Sequence, residues 1–118
     1  MPAPIMLFVS DRPVLSSLQF ALAVEGFEVV DGAAEGNDPA AAAALVIDRG
    51  ALAEGLAALA AFRAEGCGKP AIVLATNPTQ RLRVQAAAAC AVLVEKPLLG
   101  DELARALRAA LQIQDTAQ

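Results

Sequence analysis

The chain has 118 residues, of which 57% are hydrophobic and 19% are charged. This length fits one domain, and this composition excludes a disordered chain. The net charge of −4 and the absence of histidine argue against a nucleic-acid-binding surface and exclude a histidine general base or zinc ligand. We therefore expect a single domain over residues 1–118.

Five short apolar runs alternate with amphipathic stretches that are rich in alanine and leucine. The first run, residues 5–9, is typical of a strand that is buried on both faces. A helix is predicted over residues 13–25, with Ser10 or Asp11 as its cap. Gly26 stands where this helix would end. The start of the chain thus predicts one β-α unit.

The rest of the chain repeats this unit, with Gly, Pro and Asp at the predicted boundaries. Repeated β-α units imply a parallel sheet with helices on both faces. We predict an α/β fold, (βα)5, doubly wound, with the strand order 2-1-3-4-5. The further strands are predicted over residues 27–30, 45–48, 71–75 and 91–95, and the further helices over 38–43, 53–64, 79–89 and from 101 onward.

The ends of the predicted strands indicate where a functional site would lie. In this fold, ligands bind beyond the carboxyl ends of the strands, between strands one and three. Asp11 and Asp48 follow those strands, and Lys96 follows strand five. Two neighbouring carboxylates suit Mg²⁺, and a lysine beside them suits a phosphoryl group. Alternatively, Asp11 is only a helix cap, Asp48 a solvated strand end, and Lys96 a surface charge.

Four segments, spread over nearly the whole chain, carry these residues and their surroundings. They are MLFVSDRPVLSSLQFALAVEGFEVV, ALVID, KPAIVLATN and AVLVEKPLLGDELARAL. In this order they resemble the receiver domains of bacterial response regulators. The resemblance implies a flavodoxin-like receiver fold, two-component phosphorelay signalling rather than enzyme activity, and a sensor histidine kinase or phosphotransfer protein as partner.

The resemblance also implies roles for single residues. Asp48 would be the phosphoacceptor, and Lys96 would bind a phosphoryl oxygen. Mg²⁺ would be held by Asp11, by Asp48 and by the main-chain carbonyl of Gly50. The peptide bond between Lys96 and Pro97 would be cis, as similar domains usually have it.

Three positions depart from the pattern of that family. Ser10 replaces the first of two carboxylates, which would weaken Mg²⁺ binding. Ala75 stands where the family has a switch Thr or Ser, and Thr76 comes one residue late, which in a strand turns a side chain to the other face. Leu93 replaces an aromatic residue that changes rotamer. The resemblance thus implies an atypical receiver: either Asp48 is phosphorylated with a changed readout, or a pseudo-receiver serves as a phosphorylation-independent interaction module.

Similar domains form homodimers or bind an output partner through the fourth helix, the fifth strand and the fifth helix. Here these are the helix over residues 79–89, the strand over 91–95 and the last helix. The charged residues of the last helix favour intrahelical ion pairs over intermolecular ones. They are Asp101, Glu102, Arg105 and Arg108. We expect no direct contact with nucleic acid.

Other classes fit the sequence less well. A nucleotide- or flavin-binding protein would need a glycine-rich loop where SDRP follows strand one. A haloacid-type phosphatase would need a second aspartate where Pro13 stands. The amino-terminal apolar run is too short for a signal peptide, and no segment suits a membrane span, so we expect a cytoplasmic protein. Cys67 and Cys90 are interpreted as small buried apolar residues.

Overall fold

The computed structural model describes residues 3–49, 52–96 and 101–116. Within these ranges, five strands alternate with four α-helices, and a 3-10 turn over Pro39–Ala41 lies between the second and third strands. The strands are β1 (Ile5–Val9), β2 (Val29–Asp31), β3 (Ala44–Asp48), β4 (Ala71–Ala75) and β5 (Ala91–Glu95). The helices are α1 (Arg12–Val24), α2 (Leu52–Ala64), α3 (Gln80–Ala88) and α4 (Glu102–Thr116).

The sheet has the order β2-β1-β3-β4-β5, and all neighbouring strands are parallel. The predicted doubly wound order is therefore confirmed. In the register of the sheet, Val9 lies opposite Asp48 and Ala75 lies opposite Glu95. The ends of β1, β3, β4 and β5 consequently form one edge of the molecule.

Alternate residues of the central strands point to opposite faces, and each face has its own core. On one face, Leu7 and Val9 pack with α1 and α4; on the other, Met6 and Phe8 pack with α2 and α3. This two-sided burial explains why β1, β3 and β4 are continuous apolar runs. The helix residues of the first core are Leu15, Leu18, Leu22, Leu103, Ala104 and Leu107, and those of the second are Leu56, Leu59 and Ala86.

The predicted helix over residues 38–43 is reduced to the 3-10 turn. Asp38 caps this turn, because its side chain accepts a hydrogen bond from the Ala40 amide at 3.0 Å. The chain then becomes extended at Ala42, which is fully buried, and enters β3 two residues later. No room is left for a second helical turn. The second strand also begins two residues later than predicted, at Val29.

Two further predictions on the periphery differ in outcome. Cys67 is buried, as predicted, whereas Cys90 is exposed in the turn after α3, so its predicted burial is wrong. In α4, Arg105 pairs with Asp101 at 3.2 Å within the helix, as predicted. Arg108 instead reaches Glu25 at the end of α1, at 2.8 Å. Within the described ranges, every helix is too short or too polar to cross a lipid bilayer.

Candidate functional site

Asp48 is the last residue of β3 and lies at the carboxyl edge of the sheet. Its residue exposure is 6%, and it is the one buried charged or polar residue in the described part of the chain. Lys96 donates from Nζ to both carboxylate oxygens, at 3.1 Å each. The interpretation of Asp48 as a solvated strand end is therefore wrong, as is that of Lys96 as a simple surface charge.

The sheet positions this lysine across β4. The Lys96 amide donates to the Ala75 carbonyl at 2.8 Å and so continues the β4–β5 ladder by one residue. Because adjacent strands are about 4.8 Å apart, β5 and β3 are separated by about 10 Å, and the Lys96 side chain, the Asp48 side chain and the hydrogen bonds between them bridge this distance together. The strand that it crosses ends in Ala75, whose side chain is small and buried.

The ion pair follows from the cost of burying charge. A buried carboxylate without a partner is strongly unfavourable, and pairing with an ammonium group offsets much of that cost. The Lys96 side chain is 31% exposed against 8% for Asp48, so the pair opens toward solvent on the lysine side. A group that approaches from solvent would therefore meet the ammonium and the carboxylate together.

Ser10 and Asp11 come from the end of β1, beside β3. The Ser10 amide donates to the Asp48 carbonyl at 3.0 Å, and its hydroxyl lies 3.5 Å from the same oxygen. Asp11 is exposed and caps α1, since its side chain accepts from the Val14 amide at 3.2 Å. The structure thus brings Ser10 against the main chain of Asp48, and it confirms the cap role of Asp11.

The donor chemistry of this edge fits Mg²⁺. Asp11 and Asp48 offer carboxylate oxygens from adjacent strand ends, and Mg²⁺ binds through one or two carboxylates while it keeps waters or phosphate oxygens. Each carboxylate has about four lone-pair sites, so one carboxylate can accept from an ammonium group and bind a cation at the same time. Among the described residues, no group of three or more acidic, Cys or His side chains assembles. Gly50 and Pro97, which the family resemblance also places at this site, lie outside the described residues.

The positions predicted to carry the switch lie as the sequence places them. Ala75 is 2% exposed and ends β4 in regular register with β5. Thr76 is exposed immediately after the strand. Leu93 is partly buried and packs against the core on the α2 and α3 face. The buried end of β4 therefore carries a methyl group and no hydroxyl.

The sequence does not predict one ion pair near this site, which lies at the end of β2, the outer neighbour of β1. Asp31 ends β2 and pairs with Arg12 at 3.5 Å, while it also accepts from the Ala33 amide at 3.0 Å. The available signal was the same as for Asp48, namely an apolar run that ends on a carboxylate. The sequence predicts a strand that ends at residue 30, one residue before the end of β2, and so places Asp31 in a loop.

Comparison with known proteins identifies this architecture. The chain is similar to a CheY-like response regulator receiver domain protein of Methanospirillum hungatei, with 20% identity, full coverage of both chains and a TM-score of 0.81. The chain has the receiver fold. It is also similar to a response regulator receiver domain protein of Clostridium thermocellum, with 15% identity over 98% of this chain and 99% of that one, and a TM-score of 0.79.

A third receiver-fold neighbour is the Vibrio cholerae chemotaxis protein CheY4, with 16% identity over 93% of this chain and 99% of that one, and a TM-score of 0.76. No protein-family model matches the sequence, and no curated protein matches it. The receiver fold of this chain is therefore established by its backbone, while its sequence differs strongly from those of the neighbours.

Proposed function

We propose that this chain is an atypical receiver of two-component phosphorelay signalling. Asp48 accepts a phosphoryl group from a phosphohistidine of a sensor histidine kinase or phosphotransfer protein in the cytoplasm. The observation that carries this proposal is the buried Asp48 carboxylate, which lies between β1 and β4 at the sheet edge and receives both hydrogen bonds from Lys96. This edge is where proteins of this fold bind ligands.

In the proposed reaction, an oxygen of Asp48 bonds to phosphorus as the phosphorus–nitrogen bond of the partner's phosphohistidine breaks. The released imidazole takes up a proton from solvent. The Lys96 ammonium then binds the oxygens of the transferred phosphoryl group and offsets their negative charge. Asp11 and Asp48 would hold Mg²⁺, which when bound neutralises further charge on the transferred group. The chain is thus the recipient of the group, and we propose no enzymatic turnover of its own.

The proposed output surface is formed by α3, β5 and α4, and it contacts a partner protein or a second copy of the chain. Val84 of α3 and Val92 of β5 are 58% and 46% exposed. Arg83 and Glu95 pair across α3 and β5 at 3.3 Å, with both side chains exposed. This mixture of exposed aliphatic and charged groups supports a protein partner. The acidic chain as a whole does not favour nucleic acid.

A second candidate function is a pseudo-receiver that docks to its partner without phosphorylation. The observation that favours it is the end of β4, where Ala75 is buried and Thr76 is exposed. A hydroxyl at the buried position would bond a phosphoryl oxygen in the phosphorylated state alone and so bias a two-state equilibrium. Ala75 offers no such differential interaction.

The two candidates are separated by chemical phosphorylation. The wild type is incubated with a small phosphodonor and Mg²⁺, and intact-mass spectrometry measures phosphoryl addition. We expect one adduct on the wild type, none on Asp48→Asn, and a reduced yield on Asp11→Asn. Asp31→Asn is the matched control, because Asp31 also ends a strand but pairs with Arg12 on the rim; its yield should equal that of the wild type. Lack of adduct on the wild type at millimolar Mg²⁺ would leave the pseudo-receiver as the supported function.

A further inference from the structure

Arg63, in the last turn of α2, binds four main-chain carbonyls with one guanidinium. Its Nη1 donates to Cys67 and Lys69, at 2.9 and 2.7 Å, in the connection that follows α2. Its Nε donates to Ala89 at 3.0 Å, and its Nη2 lies 3.4 Å from the Cys90 carbonyl, both in the turn that ends α3. One side chain thus joins the ends of two helices.

The chemistry of this contact is suited to holding a helix end. The last carbonyls of a helix lack intrahelical donors, and a cationic side chain satisfies them and interacts favourably with the helix dipole. The guanidinium offers five donors in a planar fork, whereas a lysine at the same place would offer one mobile ammonium. Hydrogen bonds from a charged donor are also stronger than those between neutral groups.

The remaining apolar attachment of α3 rests on few residues. In this nine-residue helix, Ala86 is the buried residue, and Leu82 with the neighbouring Ala89 is partly buried. The amino-terminal half adds the exposed pair of Arg83 with Glu95. The contacts of Arg63 therefore add to Ala86 and Ala89 at the carboxyl end, whereas the ion pair of the amino-terminal half is exposed to solvent.

The backbone on both sides of α3 is unusual. In the described ranges, the non-glycine residues with positive φ are Asn77 at 47° and Cys90 at 58°, and they flank this helix. Asn77 lies in the connection from β4, next to the carboxyl edge of the sheet. Cys90 lies at the end that Arg63 binds. The chain thus turns sharply at both ends of α3. Arg63 binds main-chain carbonyls at the carboxyl end, whereas the amino-terminal end has the Thr79 cap and the exposed pair of Arg83 with Glu95.

We propose that Arg63 is a latch that fixes the carboxyl end of α3 to the turn after α2. With the latch closed, α3 separates from the sheet at its amino-terminal end first, beside Ala75 and Thr76. The helix then moves about a fixed end at Ala89. This inference concerns the folded chain itself and holds whether or not Asp48 is phosphorylated.

Hydrogen exchange of individual amides, followed by NMR, tests the latch. In the wild type we expect the amides of Ala89 and Cys90 to exchange more slowly than those of Arg83 and Val84, although helices ordinarily fray at both ends. In Arg63→Ala, exchange at Ala89 and Cys90 should accelerate by about tenfold or more, given the strength of charged hydrogen bonds. Exchange in β1 and β3 should stay unchanged.

Two further variants make the result decisive. Arg83→Ala removes the exposed arginine of α3 itself and should leave Ala89 and Cys90 unaffected. Arg63→Lys keeps the charge and the aliphatic stem but loses the fork, and it should show the same local acceleration in a chain whose circular dichroism and urea midpoint confirm folding. It also serves if Arg63→Ala does not fold. Unchanged exchange at Ala89 and Cys90 in folded Arg63→Lys, or acceleration spread evenly over the sheet, would overturn the latch.

Discussion

The central strand β3 and the edge strand β5 are equal in length but differ in their surroundings. Residues 44–47 of β3 are all 0% exposed, and Asp48 follows them directly. In β5, Val94 is buried, whereas Val92 is 46% exposed. β3 has a neighbour on each side and helices on both faces, while β5 pairs with β4 alone. Asp48 thus lies on the most constrained strand, and the proposed output surface on a weakly constrained one.

This contrast suggests that the two strands serve different functions: β3 holds the candidate site rigidly, and β5 belongs to the proposed contact surface. The buried Asp48 carboxylate must stay at hydrogen-bonding distance from Lys96, and a strand that is packed on both faces holds it in that position. A surface that adapts to a partner belongs to the part of a fold with the lowest local opening free energy. The predictions below measure how far the two regions differ.

The largest effect is expected from the same valine truncation in the two strands. Val46→Ala removes two buried methyl groups beside Asp48 and should lower the free energy of unfolding by about 2–3 kcal/mol. Val92→Ala removes the same atoms from the exposed edge and should change it by less than about 0.5 kcal/mol. Urea denaturation measures both. Equal losses in the two variants would show that β5 is as constrained as β3.

A smaller loss of unfolding free energy is expected when a methyl group is added at Gly32, a glycine in the loop after β2. At Gly32, after β2, a Cβ atom would lie 2.5 Å from the Phe8 ring. That ring is buried and packs against the Phe62 ring in a tilted arrangement, with 4.9 Å between the ring centroids. Gly32→Ala should therefore cost about 1–3 kcal/mol by overpacking.

Gly68, before β4, is the matched control, because a Cβ atom there meets nothing within 4 Å. Gly68→Ala should stay within about 0.5 kcal/mol of the wild type. Thermal unfolding of both variants measures the difference. A Gly32→Ala chain that unfolds at the wild-type temperature would show that the Phe8 ring moves away from the added methyl group at little cost in free energy.

The difference between buried central strands and exposed peripheral segments also determines what could be predicted from the sequence. Continuous apolar runs identified β1, β3 and β4, since two-sided burial demands them, and the strand-end rule then selected Asp48 and its proximity to Lys96. The single 3-10 turn after β2 was missed because alanines favour a helix locally, while the burial of Ala42 in the tertiary structure prevents it.

Contacts between distant elements left no pattern in the sequence. The Arg63 carbonyl contacts span up to 27 residues, and the pair of Arg108 with Glu25 spans 83. An arginine near the end of a helix predicts some interaction with the helix dipole, but which carbonyls it meets depends on how the helices pack. Cys90 was predicted to be buried from the usual preference of its residue type, and the turn geometry after α3 overrode that preference.

The smallest effect is expected at the two left-handed residues that flank α3. A non-glycine residue other than Asn or Asp pays about 1–2 kcal/mol in this conformation, while glycine loses about 0.5–1 kcal/mol more chain entropy on folding. Cys90→Gly should therefore stabilise the chain by about 0.5–1 kcal/mol, with the carbonyl that faces Arg63 retained. Asn77→Gly is the control and should gain less, because asparagine tolerates positive φ. Urea midpoints rank the two variants; a Cys90→Gly chain less stable than the wild type would mean that the thiol contributes packing which outweighs its backbone strain.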